Sequence, residues 1–230
     1  AMVCDSTNVF VDGEAGSEAE VRETLNRLIP TLKGGIAAAC FASNVARLDT
    51  IARAAKAHRR TVALVGRAMH KMVSAARDTG YLKDFPSLID AADAADLPPS
   101  KVLYLCTGSQ GEGRAALTRI AFDMHSDVTL EEGDVCIFSS RVIPGNEKAI
   151  SKLQNQLARN NVEIVTTRDH FIHVSGHPAR DELREMYQTV RPRVARQEKP
   201  RVSAFLSAKI DAILALEPDC VFGFSDLQAD

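Results

Sequence analysis

Short apolar runs alternate with longer stretches of helical periodicity along this chain. The runs are bounded by Gly, Ser, Asp or Asn and occupy residues 35–43, 61–66, 101–109, 134–140 and 162–166. Runs of this length with such boundaries favour buried strands. Apolar positions with helical spacing lie between or after them, over residues 43–58, 67–79, 114–125, 146–160 and 179–190. The pattern therefore predicts alternating strands and helices.

Such alternation is typical of a parallel sheet, because parallel neighbours need a crossover and the crossover is normally a helix. We predict an α/β fold: a three-layer, doubly wound, mostly parallel sheet. The loops that follow the strands then share one edge. Ligands of open α/β sheets bind at that carboxyl edge, near the point where the strand order reverses.

Two of these loops are rich in polar residues. The loop "TGSQGEGR", 107–114, can present backbone N–H groups to an anion, although glycine-rich turns also occur in such sheets without a ligand. In "SSRVIPGNE", 139–147, Ser139 and Ser140 are placed to hydrogen-bond a ligand, whereas the Pro-Gly-Asn part is explained by a turn alone.

A third loop, "HVSGH", places His173 and His177 four residues apart. This spacing suits a zinc-binding helix, but Ser175 and Gly176 between the histidines and Pro178 after them disfavour a regular helix. An oxyanion or phosphate cradle at the start of the next helix suits the loop better. A histidine that only caps or packs is the alternative.

Composition limits the classes of protein that remain. The chain has 230 residues, 45% hydrophobic side chains and a formal net charge of −2, which neither supports nor excludes a local basic groove for RNA. No apolar run approaches the roughly 20 residues of a membrane span, and no leader opens the chain, so we expect a cytoplasmic protein without membrane contact. Five cysteines without paired spacing indicate buried thiols in a reducing compartment.

Six phrases taken in order carry a family resemblance: "CDSTNVFVDGEAGSE", "CFASNVARL", "VALVGRAMHKM", "LCTGSQGEGRAALTRIA", "GDVCIFSSRVIPGNEKAI" and "HVSGHPARDELREMYQTVRP". Together they resemble ribonuclease J, of the metallo-β-lactamase superfamily with an inserted β-CASP domain, over about residues 2–194. The resemblance implies a metallo-β-lactamase remnant over residues 1–20 and a β-CASP domain over residues 21–194.

The resemblance also implies an activity. Family members hydrolyse RNA phosphodiesters from the 5′ end or internally, with two metal ions, usually zinc, with manganese or magnesium as substitutes, and they pair as dimers or tetramers. Asp5 then resembles the aspartate that bridges the metals, and Glu112 and His177 resemble catalytic residues. The residues implied to bind substrate are Ser43, Asn44, Arg47, Arg67, Ser109, Gln110, Ser139, Ser140, His173, Ser175 and Gly176.

The chain departs from this family in two places. The superfamily's His-x-His-x-Asp-His motif does not occur in it, nor does a later His-Gly-Glu phrase. Because a catalytic zinc needs about three protein ligands, we expect this chain alone to be inactive. The tail, residues 195–230, resembles over 199–230 a segment of periplasmic binding proteins for iron chelates or cobalamin; a divergent native helix and strand is the other interpretation.

Two functions from other classes therefore stay open beside the nuclease. One is a catalytically silent module that binds nucleotides or RNA, which metal content and an RNA degradation assay would distinguish from an enzyme. The other is a solute-binding fragment suggested by the tail, which the length of the resemblance over residues 2–194 disfavours.

Overall fold

The structure is a computed structural model that describes residues 2–192 and 195–197. These divide into two compact units: Ser17–Val174 forms one, and the flanking segments, up to Gly16 and from Ser175 onward, form the other. The domain limits expected at residues 20 and 194 stay predictions. Nearly all of the expected atypical tail, 195–230, lies outside the described residues.

The elements follow the order that the pattern predicts. The strands are β1 (Met2–Cys4), β2 (Ile36–Ala39), β3 (Thr61–Val65), β4 (Leu88–Ile89), β5 (Val102–Cys106), β6 (Val135–Phe138), β7 (Glu163–Val165) and β8 (Ala195–Gln197). The helices are α1 (Glu18–Leu28), α2 (Val45–Ala57), α3 (Arg67–Asp78), α4 (Ala91–Ala95), α5 (Ala116–Ala121), α6 (Glu147–Arg159) and α7 (Arg180–Val190). All five predicted strands and all five predicted helices are present, in shorter form.

Six strands form one sheet in the Ser17–Val174 unit. Their order is β4-β3-β5-β2-β6-β7, and every neighbouring pair is parallel. The central strand β2 pairs Ile36 with Leu103 on one side and with Val135 on the other. The predicted α/β fold with a parallel sheet is therefore confirmed, while the metallo-β-lactamase remnant stays a prediction.

Alternate residues of the strands build two apolar layers, which makes this unit a three-layer sandwich. Ile36 and Ala38 of β2 face helices α1, α2 and α3, together with Leu103 and Leu105 of β5. Residues of the opposite parity, such as Ala37 and Ala39, face α4, α5 and α6. Because both faces are buried, the strands read as continuous apolar runs, which is what the sequence showed.

The direction of winding reverses between β2 and β5. The connection after β2 passes through α2 on one face to β3, and the connection after β5 passes through α5 on the other face to β6. Neighbouring strands whose connections leave to opposite faces create a crevice at their carboxyl ends. The polar loops after β2, β5 and β6 all lie at this edge of the sheet.

Two buried charged residues, Arg60 and Asp134, lie at the opposite, amino edge of the same sheet. The Asp134 carboxylate accepts hydrogen bonds from the Gly35 N–H at 2.6 Å and the Glu131 N–H at 3.0 Å. Arg60, only 5% exposed, donates through its guanidinium to backbone carbonyls near the starts of β2 and β5. Its acceptors are the carbonyl oxygens of Leu32, Gly34, Pro99 and Val102.

The second unit is formed by the segments that precede and follow the sheet domain in sequence. β1 pairs with β8 in parallel, and Asn8 forms an isolated parallel bridge with Ala179. The Arg180 N–H donates to the Val11 carbonyl at 2.9 Å, and Arg180 also forms an ion pair with Asp12. These contacts join residues that are far apart in sequence within this one unit.

Two other expectations concern membranes and thiols. Among residues 2–192 and 195–197, no helix combines the length and the apolar character needed to cross a membrane. In the same residues, Cys40, Cys106 and Cys136 are buried free thiols and Cys4 is partly exposed. Burial raises the pKa of Cys40 to about 12, so this thiol is held in its protonated, unreactive form.

The Arg60 network predicts a large cost for the change Arg60→Met. Methionine fills part of the volume but leaves the four carbonyl acceptors without their donor, and an unsatisfied buried polar group costs about 1–3 kcal/mol. We expect the free energy of unfolding to fall by about 3 kcal/mol. Urea unfolding followed by circular dichroism measures it.

The matched control for this change is Arg159→Met, on the exposed surface of α6. It should change the free energy of unfolding by about 0.5 kcal/mol or less. Equal losses in the two variants would show that Arg60 does not hold the amino edge together.

Candidate functional site

The carboxyl edge of the six-stranded sheet carries most of the residues predicted from the sequence. All strands are parallel, so each loop that follows a strand starts at this edge. The predicted residues found there are Ser43 and Asn44 after β2, Arg67 after β3, Ser109, Gln110 and Glu112 after β5, and Ser139 and Ser140 after β6. Their placement at one edge agrees with the topology, and their individual roles stay predictions.

Arg47 lies beneath this edge rather than on it. Its side chain is 0% exposed and forms a two-pronged ion pair with Glu18, at 2.7 Å and 2.9 Å. The same guanidinium donates to the backbone carbonyl and the hydroxyl of Ser139, at 3.0 Å and 2.9 Å. The Ser139 hydroxyl in turn donates to the Ile172 carbonyl at 2.6 Å. Arg47 and Ser139 therefore hold together α1, α2 and the loop after β6.

His173 completes this buried Arg47 network. Its Nδ1 lies 3.1 Å from the Arg47 guanidinium, and because arginine can only donate, Nδ1 must be the acceptor and the proton must sit on Nε2. Burial, followed by the nearby positive charge of Arg47, lowers the pKa of His173 to about 4. The ring is therefore neutral near pH 7.

Gln110 ties the loop after β5 to the loop after β6. Its side-chain amide, 4% exposed, donates to the Ser140 hydroxyl at 3.3 Å and to the Arg141 carbonyl at 2.9 Å. Its side-chain oxygen accepts from the Ile143 N–H at 2.9 Å. The Gln110 backbone N–H donates to the Glu112 carboxylate at 3.1 Å, which orients this exposed acidic side chain. Gln110 thus fixes the shape of the edge on which Glu112 is displayed.

Ser109 and Ser140 line a cleft of about 310 Å³ at the carboxyl ends of β6 and β7. Thr166, Thr167 and Arg168 also line this cleft. Hydroxyl groups beside an arginine can hydrogen-bond a sugar or a phosphate.

Ser43, Asn44 and Arg67 differ in their surroundings. The Asn44 side chain caps α2 by accepting from the Arg47 N–H at 3.0 Å, which accounts for its presence without a ligand. Ser43 and Arg67 are exposed, and Arg67 is the first residue of α3. Ser43 and Arg67 are thus the most accessible of this group, while Asn44 is partly exposed.

The other unit brings Asp5 and His177 together across 172 positions of sequence. The His177 Nδ1 lies 2.7 Å from an Asp5 carboxylate oxygen, and the histidine side chain is 54% exposed. Asn8 donates to the Ser175 hydroxyl and to the His177 carbonyl, each at 3.0 Å. The Ser175 hydroxyl also accepts from the His177 N–H at 3.1 Å. We name these four residues the Asp5–His177 cluster.

Hydrogen bonds keep the Asp5 carboxylate charged within this cluster. Burial raises the pKa of Asp5, but hydrogen bonds from Thr7 and His177 outweigh burial and lower it below its usual value. Thr7 contributes two of these bonds, from its N–H at 3.0 Å and its hydroxyl at 2.6 Å. Beside Gly176, an added Cβ would meet no atom within 4 Å, so a ligand has room there.

The residues that the structure describes do not gather a set of metal ligands around Asp5. Within the described residues, no three His, Cys, Asp or Glu side chains are grouped so that they could hold a metal ion. Asp5 and His177 are one carboxylate and one imidazole, and they bind each other. The residues described therefore do not fit a resident metal, and Asp5 as a metal ligand stays a prediction.

Sequence reasoning missed several residues that position the predicted ones. Thr7 and Asn8 stand in the quoted phrase "CDSTN", but only Asp5 was assigned a role there. Glu18, the ion-pair partner of Arg47, begins α1, which the pattern did not predict. The signal was present, because Ser17 and Glu20 form a capping box, which is a known helix start.

The fold and the loops at the carboxyl edge of the sheet define the class of this protein. It is an α/β domain with a parallel sheet. Buried polar networks hold the loops at its carboxyl edge, and these loops display hydroxyl, carboxylate and cationic groups. A family model described as "Ribonuclease J, beta-CASP domain" matches residues 33–157, which cover β2 to most of α6. The match spans more than half of the chain. The chain therefore belongs to the ribonuclease J β-CASP family.

Curated relatives agree with this assignment. A protein named "Ribonuclease J" from Sinorhizobium meliloti is 43% identical over 194 residues, which are 84% of this chain and 34% of the relative. "Ribonuclease J" from Mycolicibacterium smegmatis is 44% identical over 193 residues, 84% of this chain and 35% of the relative. The chain thus spans about a third of the length of these relatives.

A third relative bears on the tail. "Ribonuclease J 1" from Streptococcus pyogenes is 36% identical over 217 residues, which are 94% of this chain and 38% of the relative. A match of this length cannot fit within residues 2–194, so it extends into the tail. The two interpretations of the tail, a native helix and strand or an unrelated fragment, both stay predictions.

The low pKa of His173 predicts a specific loss of stability in acid. The unfolded histidine takes up a proton as the pH falls below about 6.5, whereas the folded ring resists protonation down to about 4. Its contribution to stability is therefore complete above about pH 6.5 and is lost as the pH falls toward 4. Urea unfolding at pH 7 and at about pH 4.5 measures the loss.

The comparison variant is His173→Asn, whose side-chain oxygen keeps an acceptor near Nδ1 but does not titrate. It should lose less stability than the wild type between the two pH values. An identical loss in both proteins would contradict a neutral, partly buried His173, as would a proton NMR titration midpoint for this ring near 6.5.

Proposed function

We propose that this chain is the RNA-holding β-CASP part of a ribonuclease J-like enzyme that hydrolyses RNA phosphodiesters. The observation that carries the proposal is the family match over residues 33–157. Because the chain spans about a third of its curated relatives, hydrolysis is proposed for the complete protein. For this chain, the proposed task is to grip single-stranded RNA near its 5′ end through phosphate contacts.

The Asp5–His177 cluster supports a phosphate contact. Asp5 holds the Nδ1 side of the His177 ring, so Nε2 is directed away from it and has no partner among the described residues. A protonated ring can donate through Nε2–H to a phosphate oxygen. The Ser175 hydroxyl accepts two hydrogen bonds, which leaves its own hydrogen for a ligand. His177 and Ser175 are thus proposed as the phosphate partners, beside the open space at Gly176.

The sheet domain supports substrate contacts of its own. Glu112 is exposed and oriented by Gln110, and it is proposed as the acidic catalytic residue of the complete enzyme. Ser109 and Ser140, which line the cleft of about 310 Å³, are proposed to bind the RNA strand. Arg47, Ser139 and His173 are proposed to position these loops, because Arg47 and Ser139 are buried and all three bind one another.

Metal ions belong to the proposal only for the complete protein. Two ions, zinc or else manganese or magnesium, would supply an activated water in such an enzyme. The residues described here do not fit them, so this chain alone is proposed to bind RNA without hydrolysing it. The cytoplasm as the compartment, and a dimer or tetramer as the assembly, are further parts of the proposal that rest on the family alone.

RNA binding by this chain tests the proposal. Fluorescence anisotropy with a labelled single-stranded RNA should give a Kd that rises about 10-fold in His177→Ala, because one hydrogen bond to a charged group is lost. RNA with a 5′-phosphate should bind more tightly than the same RNA with a 5′-hydroxyl. Gel analysis with added zinc or manganese should show intact RNA after incubation.

His170→Ala is the matched control, since His170 is an exposed histidine in the same loop region. It should bind RNA as the wild type does. An unchanged Kd in His177→Ala would remove the phosphate role of this residue, and no RNA binding by the wild type would refute the binding role of the chain. Hydrolysis by the chain alone would overturn its proposed lack of activity. It would also exclude the second candidate function, a catalytically silent binding module.

A further inference from the structure

A basic cleft of about 750 Å³ lies at the carboxyl ends of β3 and β5. Four cationic side chains line it, two from the first turns of α3 and two from the region around α5. They are Arg67, Lys71, Arg114 and Arg119, and all four are exposed. The cleft uses none of the residues of the Asp5–His177 cluster.

Within residues 2–192, carboxylates do not balance the positive charge of this cleft. Its lining contains one carboxylate, Asp127, which accepts a hydrogen bond from the Ser126 hydroxyl at 2.6 Å. Across residues 2–192, no carboxylate forms an ion pair with Arg67, Lys71 or Arg114. Like charges that share a concave surface repel each other and raise the local concentration of anions. An anionic ligand is what would neutralise them.

The start of α3 strengthens the preference for an anion. Arg67 is its first residue, Gly66 offers no side chain to cap it, and its first turn contains no acidic residue. A cation is unfavourable at a helix N-terminus, where the free N–H groups and the helix dipole favour a negative group. Arg67 and Lys71 are four residues apart on one helix face, which adds repulsion. A bound anion would relieve both effects.

At the floor of the cleft, the backbone before α3 packs closely against the loop after β5. A Cβ on Gly66, whose φ is +113°, would lie 2.6 Å from the Thr107 hydroxyl oxygen, so no larger residue fits between these loops. The Thr107 hydroxyl accepts from the Ala116 N–H at 3.3 Å, which fixes the start of α5. Thr107 therefore packs against the residue that precedes Arg67 and is hydrogen-bonded to the start of α5, shortly after Arg114.

We propose that the basic cleft binds a phosphate group of the RNA strand, in addition to the group held by Ser175 and His177. This inference rests on the proposed function, which supplies the RNA. Arginine forks and an open helix N-terminus suit the oxygens of a phosphate better than a single carboxylate. Inorganic phosphate and a nucleoside monophosphate carry the same group, so they serve as separate probes.

The double variant Lys71→Ala/Arg114→Ala tests the cleft while leaving Arg119 in place, because Arg119 also donates to the Met124 carbonyl. Anisotropy with the labelled single-stranded RNA should show about a 10-fold or greater rise in Kd, and the slope of log Kd against log salt should fall by about 1 to 2. The charge-preserving variant Lys71→Arg/Arg114→Lys should keep most of the affinity.

The matched control is Lys148→Ala/Arg159→Ala, which also removes one lysine and one arginine but from exposed positions of α6. It should bind RNA nearly as the wild type does. Equal Kd values for the cleft variant and this control would overturn the cleft and leave the proposed function standing.

The wild type and the small probes separate the remaining outcomes. No RNA binding by the wild type would refute the proposed function and the cleft together. Inorganic phosphate or a nucleoside monophosphate could raise the Tm of the wild type but not of the cleft variant while RNA does not bind. In that case the ligand of the cleft would be a small phosphate compound and not RNA. Thermal unfolding of both variants near the wild-type Tm shows that a lost affinity is not a lost fold.

Discussion

Parallel pairing of β2 with both β5 and β6 is the constraint on which the rest of this structure depends. Since all six strands of the sheet run in one direction, every loop after a strand emerges at the same edge. Residues as far apart in sequence as Asn44, Arg67, Gln110 and Ser140 are placed at that edge by backbone pairing alone. Any antiparallel strand among them would send its polar loop to the opposite edge.

Buried polar contacts then fix the loops that the sheet brings together. Arg47 is 0% exposed yet fully engaged, so its desolvation is offset by the ion pair with Glu18 and by neutral acceptors. Gln110 joins the loops after β5 and β6 through hydrogen bonds between uncharged groups. Loops held in this way lose little conformational entropy when a ligand binds, which favours affinity. The exposed groups, such as Glu112 and Arg67, are displayed on this fixed support.

The sequence pattern predicts the sheet better than it predicts the site. The apolar runs at 61–66 and 101–109 became β3 and β5 because strands buried on both faces need an unbroken apolar sequence. The apolar pattern did not predict helix α1 because most of its residues are polar, although the Ser17–Glu20 capping box marks its start. The two-residue strand β4 is too short to leave a periodic signal.

Site roles depend on distances that a linear pattern does not contain. Arg47 was predicted to contact substrate, and no feature of "SNVARL" shows that its guanidinium turns inward to Glu18 and Ser139. Asp5 and His177 are 172 positions apart in sequence, so their hydrogen bond can be recognised only in the folded structure. The family resemblance identified these residues as candidates, and the structure shows which residues they contact.

Hydrogen–deuterium exchange of the full chain, with and without single-stranded RNA, tests most directly whether the carboxyl edge of the sheet is the RNA-binding face. RNA should slow exchange in the segments after β3, β5 and β6, at residues 66–71, 107–115 and 139–146. Slower exchange confined to the amino edge, at residues 32–35, 58–60 and 99–101, would contradict this assignment of the binding face.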